Sequence, residues 1–174
     1  MHVLARQRGV SLIEVLMAVL IFSIGLLGLA SLMVMATRSN QAAYQRTQVA
    51  YLAQNMADRM SANPVGVWAN DYNNTYPNTT TQVCNDTTGC TPAELANYDQ
   101  QMWSNQLNTF LLTPQAKINC NNTNPTGYTP TSTQQNMRPP YGGDCQMTIQ
   151  WNERGVGPSK QGSVTQTFTW DFQP

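Results

Sequence analysis

Residues 6–15 read RQRGVSLIEV, and a run of 23 residues without charge follows from Val15 to Thr37. A helix rises 1.5 Å per residue, so a run of this length can cross a hydrocarbon core of about 30 Å. The pattern therefore predicts a single membrane-spanning helix near the N-terminus. The two arginines before the run favour a cytoplasmic N-terminus by the positive-inside rule.

One acidic residue, Glu14, lies just inside this apolar region. An ionised carboxylate at the centre of a bilayer costs about 2.5 to 3.5 kcal/mol on insertion scales, and less near the interface. No lysine, arginine or histidine lies between Leu12 and Leu32 to neutralise it. We therefore predict that the partner of Glu14 belongs to another molecule or is an amine created by processing.

The sequence from Arg8 to Glu14 resembles the class III signal of type IV pilins and pseudopilins. The resemblance implies that prepilin peptidase cleaves between Gly9 and Val10, removes residues 1–9 as a leader and methylates Val10 at the new N-terminus. It also implies that Glu14 is the carboxylate that serves assembly.

An amphipathic pattern continues beyond the apolar run. Pro64 disfavours helical backbone at Asn63, so the helix is predicted to end near Ala62. We interpret residues 10–37 as the half of one long helix that spans the membrane and serves assembly, and residues 38–62 as its amphipathic half. The apolar residues of that second half recur at i, i+3, i+4, i+7 and i+11, as one face of a helix does: Val49, Leu52, Ala53, Met56 and Met60.

Residues 50–64, which read AYLAQNMADRMSANP, extend the resemblance to the minor pilins of the type IVa pilus, as does SIGLLGL at residues 23–29. The resemblance covers residues 6–64 and is faint beyond them. It implies a pilin fold of the α+β class, in which the long N-terminal helix packs on a C-terminal antiparallel sheet in a globular domain of residues 63–174. It also implies that other minor pilins, a tip adhesin and the major pilin are partners in priming pilus growth for twitching motility.

Charge and composition limit the kinds of partner. The chain has nine basic and nine acidic residues, and loss of residues 1–9 would leave seven basic residues and a net charge of −2. Proteins that bind nucleic acid carry a basic face that neutralises phosphates, so no nucleic-acid partner is expected. Only 10% of the residues are charged, which suits a packed assembly or an extracytoplasmic setting.

All four cysteines follow the predicted span, and none has the spacing of a zinc or redox motif. The single histidine, His2, lies in the predicted leader, so we expect no metal site. Two disulfides in an oxidising compartment are predicted, which places the C-terminal domain in the periplasm with one span in the inner membrane. Of the three connectivities we expect the following two bridges: Cys84 with Cys90, and Cys120 with Cys145.

Residues 63–91 are rich in Asn, Thr, Pro and Gly, and we interpret them as a surface loop that contains the small disulfide ring. The sequence TPAE at residues 91–94 is typical of a capping box that starts a second helix, which should continue to about Leu112. An apolar stripe on this helix is predicted to be buried against the sheet: Leu95, Tyr98, Met102, Trp103, Leu107 and Phe110.

The remainder of the chain has the period of two that is typical of strands. Residues 145–152 and 164–172 each alternate apolar with polar side chains, and an intervening turn would make them a hairpin. Residues 116–120 predict a third strand. The polar segment from Asn121 to Asp144 is interpreted as a loop that the second disulfide closes.

No catalytic constellation is evident: a Ser-His-Asp triad lacks a usable histidine, and neither a P-loop nor a GxGxxG motif occurs. We therefore expect a non-enzymatic protein without cofactor, and the first hypothesis is a minor pilin that reaches the pilus tip at the cell surface. One alternative is a minor pseudopilin of a type II secretion system. Another is a tip subunit whose loops, residues 63–91 and 121–144, contact surfaces or DNA, although only Lys117 and Arg138 lie near those loops.

Overall fold

The computed structural model describes residues 9–85, 87, 89–122, 129–154 and 162–174. Most of the predicted leader, with its two arginines, and the turn before the last strand lie outside the described residues. The chain divides into two units after Asn40.

Helix α1 comprises Leu12–Ala62, so its predicted end is confirmed. In the first unit its apolar side chains are exposed, as in Leu27 at 72%. Among the described residues, α1 is the one helix that is long and apolar enough to cross a membrane. Ser23 and Ser31 satisfy their hydroxyls within the helix, by donating to the backbone carbonyls of Val19 and Gly28.

The second unit contains a four-stranded antiparallel sheet in the order β1-β2-β3-β4. Together with α1, this sheet confirms the predicted α+β class and the pilin fold. The strands are β1 Asn74–Tyr76, β2 Gln115–Asn121, β3 Asp144–Arg154 and β4 Ser163–Phe172, and the shorter helices are α2 Pro64–Trp68, α3 Pro92–Phe110 and α4 Ser132–Gln135.

The core of this unit lies between the amphipathic part of α1 and the inward faces of β2 and β3. Apolar residues on both sides are buried, which confirms the predicted stripe of α1, the predicted alternation of β3 and the predicted third strand, β2. Fully buried members of this layer include Leu52, Met56, Met60, Ile118, Met147 and Ile149.

The interpretation of residues 63–91 as a surface loop is wrong for residues 63–76, whereas the predicted small disulfide ring, Cys84–Cys90, lies in the part that follows. The segment contains α2 and β1, and it buries Trp68, Tyr72 and Tyr76. The Asn63 side chain starts α2 by accepting a hydrogen bond from the Gly66 N–H at 3.2 Å. Elements of three to five residues are too short to show a periodic pattern, which is why the polar composition dominated the prediction.

The predicted second helix exists as α3, with both hydrogen bonds of the capping box between Thr91 and Glu94. Its predicted stripe is only partly correct: Trp103 and Leu107 are buried, Phe110 is 41% exposed, and the others, Leu95, Tyr98 and Met102, are half-buried. The Trp103 indole N–H donates to the Leu52 carbonyl at 2.9 Å, so α3 packs on α1 as well as on β1. The buried residues of α3 are Ala96, Asp99, Gln100, Trp103, Ser104 and Leu107.

The segment predicted as a polar loop between β2 and β3 also differs from the structure. It contains α4, whose start has a capping box at Thr131 and Gln134. Gln135 and Tyr141 are buried within it, and the Tyr141 ring packs edge-on against Trp68 with centroids 5.0 Å apart. Aromatic packing therefore attaches this segment to α2, which a loop composition does not indicate.

Candidate assembly site

The residues around the predicted cleavage position lie directly before α1. Gly9 and Val10 are exposed, and the side chain of Val10 reaches 70% exposure. A Cβ placed on Gly9 would meet no atom within 4 Å. The Gly9–Val10 peptide bond therefore lies before the hydrogen-bonded helix.

Glu14 lies in the first turn of α1. The Ser11 carbonyl accepts the N–H of Glu14 at 3.0 Å and that of Val15 at 3.2 Å, which starts the helix. A carboxylate in a first turn is stabilised by the positive end of the helix dipole. The residue is exposed, and no described residue forms a salt bridge or hydrogen bond with its carboxylate.

The two disulfides lie in the second unit. Cys84 is bonded to Cys90, and Cys120 is bonded to Cys145. This is the pairing predicted from the sequence. The second bridge joins register partners on β2 and β3, with both residues buried in the core, whereas the first closes a small peripheral ring.

Removal of the second bridge is expected to destabilise the protein more than removal of the first. The bonded cysteines are 25 residues apart in one case and 6 in the other. Chain-entropy estimates are about 3.5 kcal/mol for the longer loop and about 2.4 kcal/mol for the shorter. Paired Cys→Ala variants, unfolded in urea, should show this order of unfolding free energies, and an inverted order would contradict it.

A buried polar network attaches α1 to α3. The Arg59 guanidinium donates to the Asp99 carboxylate at 2.8 Å, and the Tyr72 hydroxyl donates to its second oxygen at 2.8 Å. Asn63 donates in turn to the Tyr72 hydroxyl at 3.1 Å and to the Pro92 carbonyl at 2.7 Å. Burial, and then the negative charge of Asp99, raise the pKa of Tyr72 far above its usual range.

The sequence analysis did not identify this network. Its one local signal is the pair of polar residues, Asp99 and Gln100, on the face of α3 that also carries Trp103. Among the described residues, no group of three His, Cys, Asp or Glu side chains is placed to hold a metal ion. The hydrogen bonds of the network position α3 against α1.

Comparison with known proteins bears on both units. Residues 4–30 match the prokaryotic N-terminal methylation motif, which includes Gly9, Val10 and Glu14. Residues 31–101 match the family described as type IV pilin Tt1218.

The chain is similar to type IV pilins.

The pilin match extends from the apolar part of α1 through α2 and β1 into α3. No curated protein and no solved structure gives a significant match to the chain. A pilin family is structural, which fits a protein without catalytic function. The methylation motif implies a context of pilus assembly with processing by prepilin peptidase.

Proposed function

We propose that the chain is a minor pilin of the type IV pilus, similar to PilV, that primes pilus growth together with other minor pilins, the major pilin and a tip adhesin. One observation carries the proposal. A match to the N-terminal methylation motif coincides with a carboxylate, Glu14, that has no partner among the described residues and lies on an exposed apolar helix. In this role the protein supports pilus biogenesis and twitching motility.

Each part of the chain has a place in this proposal. Residues 10–37 anchor the protein in the inner membrane, where their exposed apolar side chains contact lipid before assembly and other helices after it. Residues 38–62 join this anchor to a periplasmic domain of residues 63–174, whose disulfides form in that oxidising compartment. After assembly the domain is at the pilus tip.

Glu14 receives its partner during assembly. Cleavage after Gly9 leaves a methylated amine on Val10 of each subunit, and the amine of a neighbouring subunit supplies the missing positive charge. At an effective dielectric constant of about 20, two unit charges 4 Å apart attract by about 4 kcal/mol. An attraction of this size is sufficient to set the register between subunits without contributing to the fold of either one.

Processing is the first prediction of this proposal. The mature protein should begin at Val10 and carry N-methylation, because the peptide bond after Gly9 lies within the match to the N-terminal methylation motif. N-terminal sequencing and intact-mass measurement of protein extracted from membranes test this. A matched Gly9→Val variant should keep residues 1–9. If the unaltered protein still begins with Met1, it is an ordinary anchored protein and the prediction is wrong.

The experiment that tests the role itself is affinity purification of the membrane-extracted protein with mass spectrometry, combined with deletion of its gene. We expect other pilin-type subunits among the partners, and few surface pili with loss of twitching in the deletion strain. Normal pili together with a secretion defect would replace the proposal with a minor pseudopilin of a type II secretion system.

A further inference from the structure

Strand β4 forms one edge of the sheet. Its ten residues, Ser163–Phe172, pair with β3 in a continuous register, and no backbone hydrogen bond links it to any other described segment. In an antiparallel pair, alternate residues of an edge strand direct their N–H and C=O groups away from the neighbouring strand. This edge therefore presents a row of backbone donors and acceptors without partners among the described residues.

β4 lacks three common protections against edge pairing. Natural edge strands are commonly interrupted by proline, lysine or a bulge. β4 contains neither proline nor lysine, and its register with β3 is continuous, so no bulge interrupts it. Its one charged residue, Asp171, accepts a hydrogen bond from the Gln146 amide at 2.9 Å.

The inward face of β4 is incompletely covered. Phe168, Trp170 and Phe172 pack against the core but remain only half-buried, whereas their register partners on β3 are fully buried. The rings of Trp170 and Phe172 stack with centroids 4.8 Å apart. An additional strand beside β4 would extend the sheet and place its own side chains over this aromatic row.

Symmetric pairing of β4 with β4 of a second copy conflicts with a shared membrane. Arg46 of α1 contacts Glu153 at 3.5 Å, while Met60 lines the same cavity as Tyr141, so α1 runs along β3 from its C-terminal end to its N-terminal end. If two β4 strands pair with their aromatic rows on the same face of the joined sheet, the two strands must be antiparallel. Because α1 has a fixed direction relative to the strands of its own sheet, the α1 helices of the two copies then run in opposite directions. The two chains would then enter their domains at opposite ends of the joined sheet, which disfavours anchoring of both copies in one bilayer.

A neighbour in the same orientation would present the opposite edge of its sheet, which in this fold is β1. β1 runs antiparallel to β4, so β1 of one copy could form an antiparallel pair with β4 of the next. However, β1 has only three residues and is followed by Pro77, which lacks an N–H. A second copy could therefore pair with about a third of β4.

We propose that the edge of β4 binds the longer edge strand of a different pilin-type subunit that is anchored in the same orientation. This inference rests on the proposed function. Backbone hydrogen bonds along β4 supply the attraction, and apolar side chains of the partner strand cover Phe168, Trp170 and Phe172.

A photocrosslinker at the edge tests this in the full chain in its own membranes. We would place p-benzoylphenylalanine at exposed Thr167, and as a matched control at Gln150, its register partner one strand inward. The crosslinker at Thr167 should give at least tenfold more adduct than the crosslinker at Gln150. The partner in this adduct should be a different protein that carries an N-terminal methylation motif. Equal yields, an adduct with a second copy of this chain, or an adduct only with other proteins would overturn the inference.

Lysines on the same strand give an independent measurement. The Thr167→Lys/Thr169→Lys variant should lower recovery of the crosslinked or co-purified subunit at least tenfold, since it places two charges at the edge. The register-matched control Gln150→Lys/Thr148→Lys should not. Formation of both disulfides reports folding of each variant.

The same data separate the two proposals. If pilin-type partners co-purify in a manner that depends on Glu14 but no adduct forms at Thr167, the inference about β4 fails alone. If no pilin-type partner co-purifies at all, the proposed function fails, and this inference fails with it.

Discussion

Replacing Glu14 with glutamine is expected to lower the recovery of partner minor pilins about 100-fold and to reduce surface pili correspondingly. Loss of one member of a buried charge pair costs about 3 kcal/mol or more, which is about two powers of ten in an association constant. The fold should be unaffected, because no described residue bonds to the Glu14 carboxylate. Membrane insertion should be unchanged or slightly better, since the substitution removes a charge from the apolar region.

Three measurements on the same strain separate assembly from folding: the membrane level of the variant, its N-terminal residue and its co-purified partners. Glu14→Asp is the matched control, because it keeps the charge with a shorter side chain and should retain part of the assembly. If Glu14→Gln is degraded or lost from the membrane, the carboxylate serves the fold of the single subunit, and its proposed role in assembly is wrong.

Replacing Asp99 with alanine is expected to destabilise the second unit by about 3 kcal/mol. The substitution removes the acceptor of both Arg59 and Tyr72, and the Tyr72 hydroxyl is buried without access to water. Leaving a buried donor unpaired costs about 1 to 3 kcal/mol, and removing one partner of a buried ion pair costs about 3 to 5 kcal/mol. Arg59 is 25% exposed, so water recovers part of its loss.

Urea unfolding of the full chain in detergent, followed by tryptophan fluorescence, measures this change. Asp58→Ala is the matched control, because Asp58 is exposed on α1 and its one hydrogen bond within the described part of the chain is intrahelical, from Gln54 at 2.8 Å. The control should change the unfolding free energy by less than about 0.5 kcal/mol. A similarly small change for Asp99→Ala would show that the network between α1 and α3 does not stabilise the protein.

Several elements of the fold follow from local chemistry and could be predicted from the sequence. Pro64 ends α1 at Ala62 because it disfavours helical backbone at the preceding residue. Thr91 and Glu94 start α3 through a capping box, and alternating side chains predicted β3 and β4. Each of these signals acts over a few residues, so no tertiary contact is needed to produce it.

The candidate assembly site is also local. Gly9, Val10 and Glu14 occur within six consecutive residues, and the apolar run follows them directly. Their structural positions, before α1 and in its first turn, are set by where the helix begins. Their roles in cleavage, methylation and assembly remain predictions, because they require a peptidase and neighbouring subunits.

Tertiary structure alone decided which polar residues are buried and which strand remains an edge. Asp99 is buried because Arg59 and Tyr72, distant in sequence, supply its hydrogen bonds, so the periodicity of α3 cannot indicate it. Residues 74–76 become a strand because β2 pairs with them, although their own sequence is too short to show a period. β4 has the same alternation of apolar and polar residues as β3, but its apolar residues are only half-buried, because no described strand lies beyond it in the sheet. The strand order is a property of the assembled sheet, so the sequence of β4 alone cannot indicate it.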